Sequence, residues 1–295
     1  MNVVVNGGTG WLGIAALRAL KRLKNTEEVK IFSSDGRLFH THDFGSFKTY
    51  NLKKEIDIEL KSDIFINLAF KTRDYIAQLG EEEYSKFNLE IINSSINLAR
   101  NLKPKSIIII SSGVVARYNQ SGGKLDNTEY TQLKIYEEKL FSELSRELDC
   151  NLVILRMWGG SGRDFIHPLK YAIGDLIMQG LRSDKLVVNS TNLVYRRYSD
   201  ASQQMEIALR CAMAGMNTLF DSGGVVVEME ELANLIKNII NPSSEVIRNV
   251  DLDLEPDNYY SQSSDFENLA RNFNIDLYDM KKQIEETKIS VLRAI

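Results

Sequence analysis

An apolar run, Val3-Val4-Val5, passes directly into Asn6-Gly7-Gly8-Thr9-Gly10-Trp11-Leu12-Gly13 and then into an amphipathic stretch from Ile14 to Leu23. Few arrangements admit a strand, a glycine-rich turn and a helix in such close succession. Gly7 permits the tight turn, Gly10 lets backbone approach a bound group, and Gly13 lets the helix pack closely on the strand. The helix start offers free N–H groups and a positive dipole end, a place for a phosphate or pyrophosphate held by backbone rather than by side-chain charge. A structural turn is the plainer alternative. The strand before, the helix after and a second strand at the expected distance favour dinucleotide binding.

The rest of the first half extends this pattern. Strand-like runs at Asn2 to Val5, Val29 to Ser33, Asp63 to Leu68, Ser106 to Ser111 and Asn151 to Arg156 alternate with helical segments at Ile14 to Leu23, Glu82 to Leu102 and Tyr130 to Leu148. That alternation predicts repeated βαβ units, hence a Rossmann-type, doubly wound parallel sheet of the α/β class. Continuous apolar runs such as Ile107 to Ile110 predict strands buried on both faces. Beyond residue 160 the regularity drops, with helices expected at Pro168 to Leu181, Ser202 to Ala214, Glu228 to Ile240 and Ser264 to Asn272, and a strand at Lys185 to Asn189. This gives a dinucleotide-binding domain over residues 1–160. A smaller, partly helical C-terminal substrate lobe follows over residues 161–295, some of whose elements return to the first domain.

Composition narrows the partners. A net charge of -4 with no basic stripe leaves no electrostatic footprint for nucleic acid. No window is long and apolar enough to cross a bilayer, and the N-terminus has no secretory pattern, so a soluble cytoplasmic protein is expected. Two distant cysteines, Cys150 and Cys211, and 3 histidines make no metal-ligand set and suit a reducing compartment.

The second strand tells the cofactors apart. A carboxylate at its end hydrogen-bonds the ribose 2′-hydroxyl of NAD and repels the 2′-phosphate of NADP. Here Ser33 and Ser34 stand at that end, Asp35 comes late and Arg37 follows. Small hydroxyls with an arginine favour NADP, since Arg makes paired charged hydrogen bonds to phosphate. NAD remains possible through Asp35, with Arg37 then a solvated loop charge.

Downstream of the Ser106 strand come Ser111-Ser112-Gly113 and then Tyr130-Thr131-Gln132-Leu133-Lys134. Tyr130 and Lys134 lie four apart on one helix face, which allows the ammonium to approach the phenol and lower its pKa. Ser112, at the strand mouth, is placed to hydrogen-bond the same substrate oxygen. Each feature alone is ordinary; the order after a cofactor loop makes the set specific for proton chemistry by Tyr130 and Lys134.

On these residues the chain resembles, along essentially its whole length, an extended short-chain dehydrogenase/reductase of the NAD-dependent epimerase/dehydratase family. Gly7 to Gly13 resembles that family's cofactor loop, Trp11 and Leu12 included, and Tyr130 to Lys134 its YxxxK, followed by Glu138. Asn67-Leu68-Ala69 resembles the strand segment beside the cofactor, and Asn88 the asparagine of the helix behind it. The resemblance implies hydride exchange between nicotinamide and a sugar carbon, with Tyr130 as acid or base, Lys134 on the nicotinamide ribose, and Ser112 on the reacting oxygen. Leu68, Ala69 and Asn88 would contact the cofactor, and Arg196, in the segment Val187 to Tyr198, would hold a sugar-nucleotide pyrophosphate; a solvated Arg196-Arg197 pair is the alternative. Gly159 departs from the asparagine that many epimerases carry there.

Within the family, dehydratases carry an Asp-Glu pair after the residue matching Ser112, where this chain has Gly113-Val114. The resemblance therefore implies a 4-ketoreductase of a 4-keto-6-deoxy sugar nucleotide, or alternatively an NAD-dependent 4-epimerase, in either case a homodimer through long helices. A non-catalytic NADP-binding regulator shares the fold, and a reductase of small ketones or aldehydes shares the chemistry as well.

Overall fold

The computed structural model describes residues 1–52 and 62–295. In chain order the elements are β1 (Asn2–Asn6), α1 (Trp11–Leu23), β2 (Glu28–Ser33), β3 (Leu38–Thr41), β4 (Gly45–Asn51), β5 (Ile64–Asn67), α2 (Ile76–Leu79), α3 (Glu81–Leu102), β6 (Ser106–Ser112), α4 (Gly113–Gln120), α5 (Glu129–Glu147) and β7 (Asn151–Met157). There follow β8 (Gly160–Ser161), α6 (Ala172–Arg182), β9 (Lys185–Val188), β10 (Val194–Asp200), α7 (Ala201–Met213), β11 (Thr218–Asp221), β12 (Val225–Glu228), α8 (Met229–Ile240), β13 (Glu245–Arg248), β14 (Asp257–Tyr259), α9 (Asp265–Asn272) and α10 (Met280–Ala294). The chain divides into two compact units, Met1–Met157 with Met205–Phe220, and Trp158–Gln204 with Asp221–Ile295.

The first unit is built on a sheet of strand order β11-β7-β6-β5-β1-β2-β4-β3. Neighbours from β7 to β4 run parallel, and β3 closes that edge antiparallel to β4. The chain leaves β1 toward β2 and β4, then returns to the other side of β1 for β5, β6 and β7. The strand order therefore reverses between β1 and β5, and the crevice beyond the carboxyl ends of these two strands is where such sheets bind ligands. Every residue of β6 is buried, as expected of an apolar strand covered on both faces. One face carries the core, where Val4, Phe32, Phe65, Ile107 and Ile109 pack with Ile92 and Leu98 of α3 and Phe141 and Leu144 of α5.

Helix α1 buries Ala15, Ala16, Leu17, Ala19 and Leu20 at helical spacing and ends on Lys24 in the left-handed region, with Lys21 and Arg22 in its last turn. The hairpin β3–β4 was not foreseen. Its residues are mostly exposed or half-buried, with only Thr41 and Thr49 buried, so no apolar run marks it, and Gly45 at φ +73° follows its turn. Helix α4 was not foreseen either: Gly113-Val114-Val115 has weak helix propensity, which burial of all three overrides.

In the second unit β12, β10 and β14 form a sheet joined by β8, and β9 pairs with β13. Its core gathers Ile173, Leu176 and Ile177 of α6, Leu232 and Ile236 of α8, and Ile284 and Val291 of α10. The helix expected from Pro168 is a short 3₁₀ turn at Pro168–Lys170 followed by α6. Strands β10, β12 and β14 and helix α10 were not read from the sequence. Among the described residues no helix is long and apolar enough to cross a membrane.

Candidate active site

Three loops and one helix start meet at the β1–β5 reversal. Gly7 leaves β1 at φ +78°, its N–H donating to the Phe32 carbonyl at 2.9 Å, and a Cβ there would lie 2.6 Å from the Ala69 nitrogen. The turn after β1 thus rests directly on the loop after β5. A Cβ at Gly13 would lie 2.3 Å from the Gly8 carbonyl oxygen, so this glycine is what lets α1 start so close to the turn. At Gly10 the nearest atom to a built Cβ is 3.5 Å away, leaving its outer side clear. Gly10 caps α1 without a side-chain hydrogen bond, and no acidic residue stands in the first turn, where Trp11 and Leu12 are half-buried. Free N–H groups, an unopposed dipole end and a cradle that side chains would fill fit the pyrophosphate of a dinucleotide.

The end of β2 is organised by Ser33. Its buried hydroxyl lies 2.8 Å from Thr49 Oγ1 and 3.2 Å from Asp35 Oδ1, and it accepts the Gly36 N–H at 3.1 Å. Ser33 is therefore tied into the loop, whereas Ser34 stays exposed. The Arg37 side chain is 73% exposed and its Nε lies 3.0 Å from Asp35 Oδ2, so the two charged residues weighed from the sequence for cofactor choice are paired with each other.

The loop after β5 carries Leu68 and Ala69, both half-buried, and Phe70. Asn88, fully buried on α3, accepts the Lys71 N–H at 2.9 Å and donates to the Lys71 carbonyl at 3.2 Å, while Tyr84 Oη donates to that carbonyl at 2.8 Å. Asn88 thus holds the backbone of this loop; its amide is spent there.

Helix α5 opens on Thr128, whose hydroxyl accepts the Thr131 N–H at 3.3 Å, which sets Tyr130 in the first turn and half-buried. The Phe70 ring meets Tyr130 edge-on at 5.8 Å and lies 3.8 Å from Lys134 Nζ. Lys134 is buried, and Nζ donates to the Ile110 carbonyl at 2.9 Å and to Glu137 Oε2 at 2.7 Å. Glu138 is engaged elsewhere, its two oxygens accepting from Arg156 at 2.9 and 2.7 Å. Burial pushes the Glu137 carboxyl above its ordinary pKa, and the adjacent ammonium and the Asn67 amide pull against that shift. Ser112 is 7% exposed at the end of β6, and among the described residues its hydroxyl has no partner.

Glu137, Asn67, Asn6 and Phe70 complete this arrangement, and sequence reasoning assigned none of their side chains a role in it. Helical spacing does place position 137, like 138, on the face of Lys134.

Arg196 belongs to the second unit, on β10. Its guanidinium is paired with Asp257 Oδ2 at 2.6 Å and donates to the Asp257 and Tyr195 carbonyls. Arg197 donates to the carbonyls of Gly224, Ser261 and Ser263 and to Glu267. The solvated pair weighed from the sequence is thereby overturned: charge partners hold both side chains. Gly159 is required by packing, because a Cβ there would sit 2.3 Å from the Arg197 carbonyl oxygen.

No family model matches the sequence. No curated protein matches it either. Solved structures do match its fold. UDP-N-acetylglucosamine 4-epimerase from Bacillus cereus superposes with a TM-score of 0.75 at 19% identity, over 100% of this chain and 97% of that one. A GDP-L-fucose synthetase from Naegleria fowleri gives 0.78 at 14% identity, over 99% and 93%. RMD from Pseudomonas aeruginosa, complexed with NADPH, gives 0.72 at 17% identity, over 99% of each chain. The likeness is one of fold throughout, and the chain shares that fold with these three solved structures.

Proposed function

We propose that this protein is a nicotinamide-dinucleotide-dependent oxidoreductase acting on a nucleotide sugar, and specifically a 4-ketoreductase of a 4-keto-6-deoxy sugar nucleotide. The observation that carries the reading is a continuous run of contacts from Gly7 to Ala69, on through Phe70 to Tyr130 and Lys134, and from Lys134 to Ile110 of β6. It brings an anion cradle and a proton-handling tyrosine to one end of one sheet. Solved structures of the same fold that carry NAD, NADH or NADPH support the cofactor class.

A reduced nicotinamide dinucleotide, held by the glycine loop and the start of α1, would supply the hydride. The residues of the chain supply the rest: the glycine loop and the start of α1 hold the pyrophosphate, Ser112 donates a hydrogen bond to the substrate carbonyl oxygen, and the Tyr130 hydroxyl gives that oxygen its proton as it becomes an alkoxide. Lys134, held by Glu137, the Ile110 carbonyl and the Phe70 ring, is the residue we place on the nicotinamide ribose. Gly113 and Val114, buried at the start of α4, offer no acid or base for removing water, which sets elimination aside. We place Arg196 on the diphosphate of the substrate, where it would exchange part of its bond to Asp257 for phosphate oxygens.

A second reading, a dinucleotide-binding regulator without turnover, is favoured by one observation: Lys134 already gives two of its three donors to Glu137 and Ile110, with Phe70 across it. One experiment separates the readings. NADPH and NADH are supplied with a panel of 4-keto-6-deoxy nucleotide sugars, and cofactor oxidation and products are followed for wild type and Tyr130→Phe. The proposal expects net reduction by wild type and a loss of about 10²–10⁴-fold in the variant, with cofactor affinity unchanged. Interconversion of 4-hydroxy sugars without net cofactor oxidation would make the protein an epimerase; cofactor binding without turnover of any substrate would make it a regulator.

A further inference from the structure

Beneath the glycine loop lies a polar chain that neither the loop nor the tyrosine explains. Glu137 is almost wholly buried and faces two ways: Oε2 accepts from Lys134 Nζ at 2.7 Å, and Oε1 accepts from Asn67 Nδ2 at 2.9 Å. Asn67 Oδ1 accepts from Asn6 Nδ2 at 2.9 Å, and the same Asn6 amide donates to Ser95 Oγ at 2.8 Å. Ser95 donates its own hydroxyl to the Ile91 carbonyl at 2.7 Å. Helix α3, strands β1 and β5 and helix α5 are thus joined by side-chain hydrogen bonds through the core, and the chain ends on the ammonium beside the site. Asn6 is the residue from which the glycine loop departs.

We propose that Glu137 is a positioning residue of this site, fixing the Lys134 ammonium and coupling it, through Asn67 and Asn6, to the strand end that carries the glycine loop. The inference rests on the reading of Tyr130 and Lys134 as the proton-handling pair. Stability alone does not account for a carboxylate here. A buried ion pair is commonly no more stabilising than apolar side chains of the same volume, and the neighbouring positions of this core are filled by Phe65, Ile107, Phe141 and other apolar groups. What an apolar residue could not do is keep a buried lysine charged. An ammonium taken out of water without a counterion gives up its proton. Glu138 is not available for the task, being held by both guanidinium donors of Arg156.

A lysine stem with its rotatable bonds is also a poor anchor unless its head is fixed. Three contacts fix it: Glu137, the Ile110 carbonyl and the Phe70 ring face. Of these, only Glu137 is charged. The groups facing the pair are few. Tyr130 and Glu138 stand on α5 itself, Asn67 faces it from β5, Ile110 from β6 and Phe70 from the loop after β5, with Tyr84 of α3 close to Tyr130. The chain leaves Asn6 Oδ1 as its one buried acceptor without a partner among the described residues.

The test reads Lys134 directly. The full chain is prepared with lysine ¹³C-labelled at Cε, without cofactor, and the Lys134 resonance, assigned by its loss in Lys134→Met, is followed from pH 6 to pH 11 in wild type and Glu137→Gln. The amide introduced by this substitution keeps the volume and removes the charge; if its oxygen still accepts from Asn67, its NH2 replaces the oxygen that accepted from Lys134, so counterion and acceptor are lost together. Lys134 is expected to lose its proton at least about one pH unit lower in the variant, as desolvation without a counterion dictates. NADPH affinity is expected to fall about tenfold in Glu137→Gln at pH 8.5 and to show no further fall when the same change is made on Lys134→Met. If Glu137→Gln does not fold, Glu137→Asp, which keeps the charge on a shorter stem, is expected to shift Lys134 the same way by less.

Identical titration of Lys134 in wild type and variant overturns the proposal, and so do additive effects of the two substitutions on cofactor affinity. Absence of turnover in wild type, by contrast, removes the catalytic reading and leaves the Lys134 titration to be judged on its own.

Discussion

The Phe70 ring lies 3.8 Å from the Lys134 ammonium, on a lysine that already donates to a carboxylate and a carbonyl. Two of the three ammonium donors are thus engaged, and a cofactor ribose that takes the third has to compete with the ring lying against it. The ring is the weakest of the three partners, since a desolvated cation–π contact contributes about 2 kcal/mol and a charged, hydrogen-bonded buried pair costs more to break. Phe70→Ala is therefore expected to tighten dinucleotide binding by about threefold to tenfold, roughly a third to two thirds of the contact's worth being returned on binding. Isothermal titration of NADPH and NADH into both proteins checks it; weaker binding by the variant would show that the ring packs on the cofactor instead.

Asp35 and Arg37, on which the proposed cofactor choice rests, share an ion pair on an exposed loop. Exposed pairs are worth about 0–1 kcal/mol, so a 2′-phosphate can recruit Arg37 at little cost. We expect NADPH to bind more tightly than NADH. Asp35→Asn, which removes the repelling carboxylate, should widen that margin, and Arg37→Ala should close it. Fluorescence titration of both cofactors decides; equal effects of Arg37→Ala on NADH and NADPH would return Arg37 to a loop charge.

Arg196 is paired with Asp257 rather than free. If it serves the diphosphate of the substrate, Arg196→Ala should raise KM for a nucleotide sugar by an amount corresponding to about 1.5–3 kcal/mol, with cofactor affinity unaltered. Asp257→Asn is the informative companion, because loosening the pair should lower KM. A nucleotide-sugar titration that Arg196→Ala leaves unchanged would confine Arg196 to holding β14 against β10.

Glu286 supplies a dependence on pH that involves no catalytic group. Burial raises its pKa, but the Arg163 guanidinium and the Lys282 ammonium outweigh burial and hold the carboxyl below its ordinary 4.5. A depressed folded-state pKa contributes stability that is present above the unfolded value and is lost as pH falls through the folded one. Glu286→Gln should therefore lower the melting temperature at pH 7, by an amount corresponding to about 1.5–3 kcal/mol for lost charged hydrogen bonds, and the difference should shrink below pH 4.5. Calorimetric melts from pH 7 to pH 3 test it; a difference independent of pH would mean that shape, not charge, holds this contact.

The sequence by itself determined the parts of this protein that depend on local pattern. The glycines at 7, 10 and 13 could be read because strand, turn and helix follow each other without interruption. The strands β1, β5, β6 and β7 could be read because parallel strands buried on both faces show as unbroken apolar runs. Tyr130 and Lys134 could be read because four residues make about one helical turn. The β3–β4 hairpin escaped, since an exposed edge leaves no apolar signature.

Only the tertiary structure decided which carboxylate serves Lys134. Positions 137 and 138 are both within one turn of it, and the choice depends on how α5 is rotated against its neighbours: Asn67 of β5 draws Glu137 inward, and Arg156 of β7 takes Glu138. The partners of Ser33, Asn88 and Arg196 were decided the same way, for they lie 16, 17 and 61 residues away along the chain, at Thr49, Lys71 and Asp257. Hydrogen bonds of that reach are set by the packing of whole elements, which no periodicity along a single segment records.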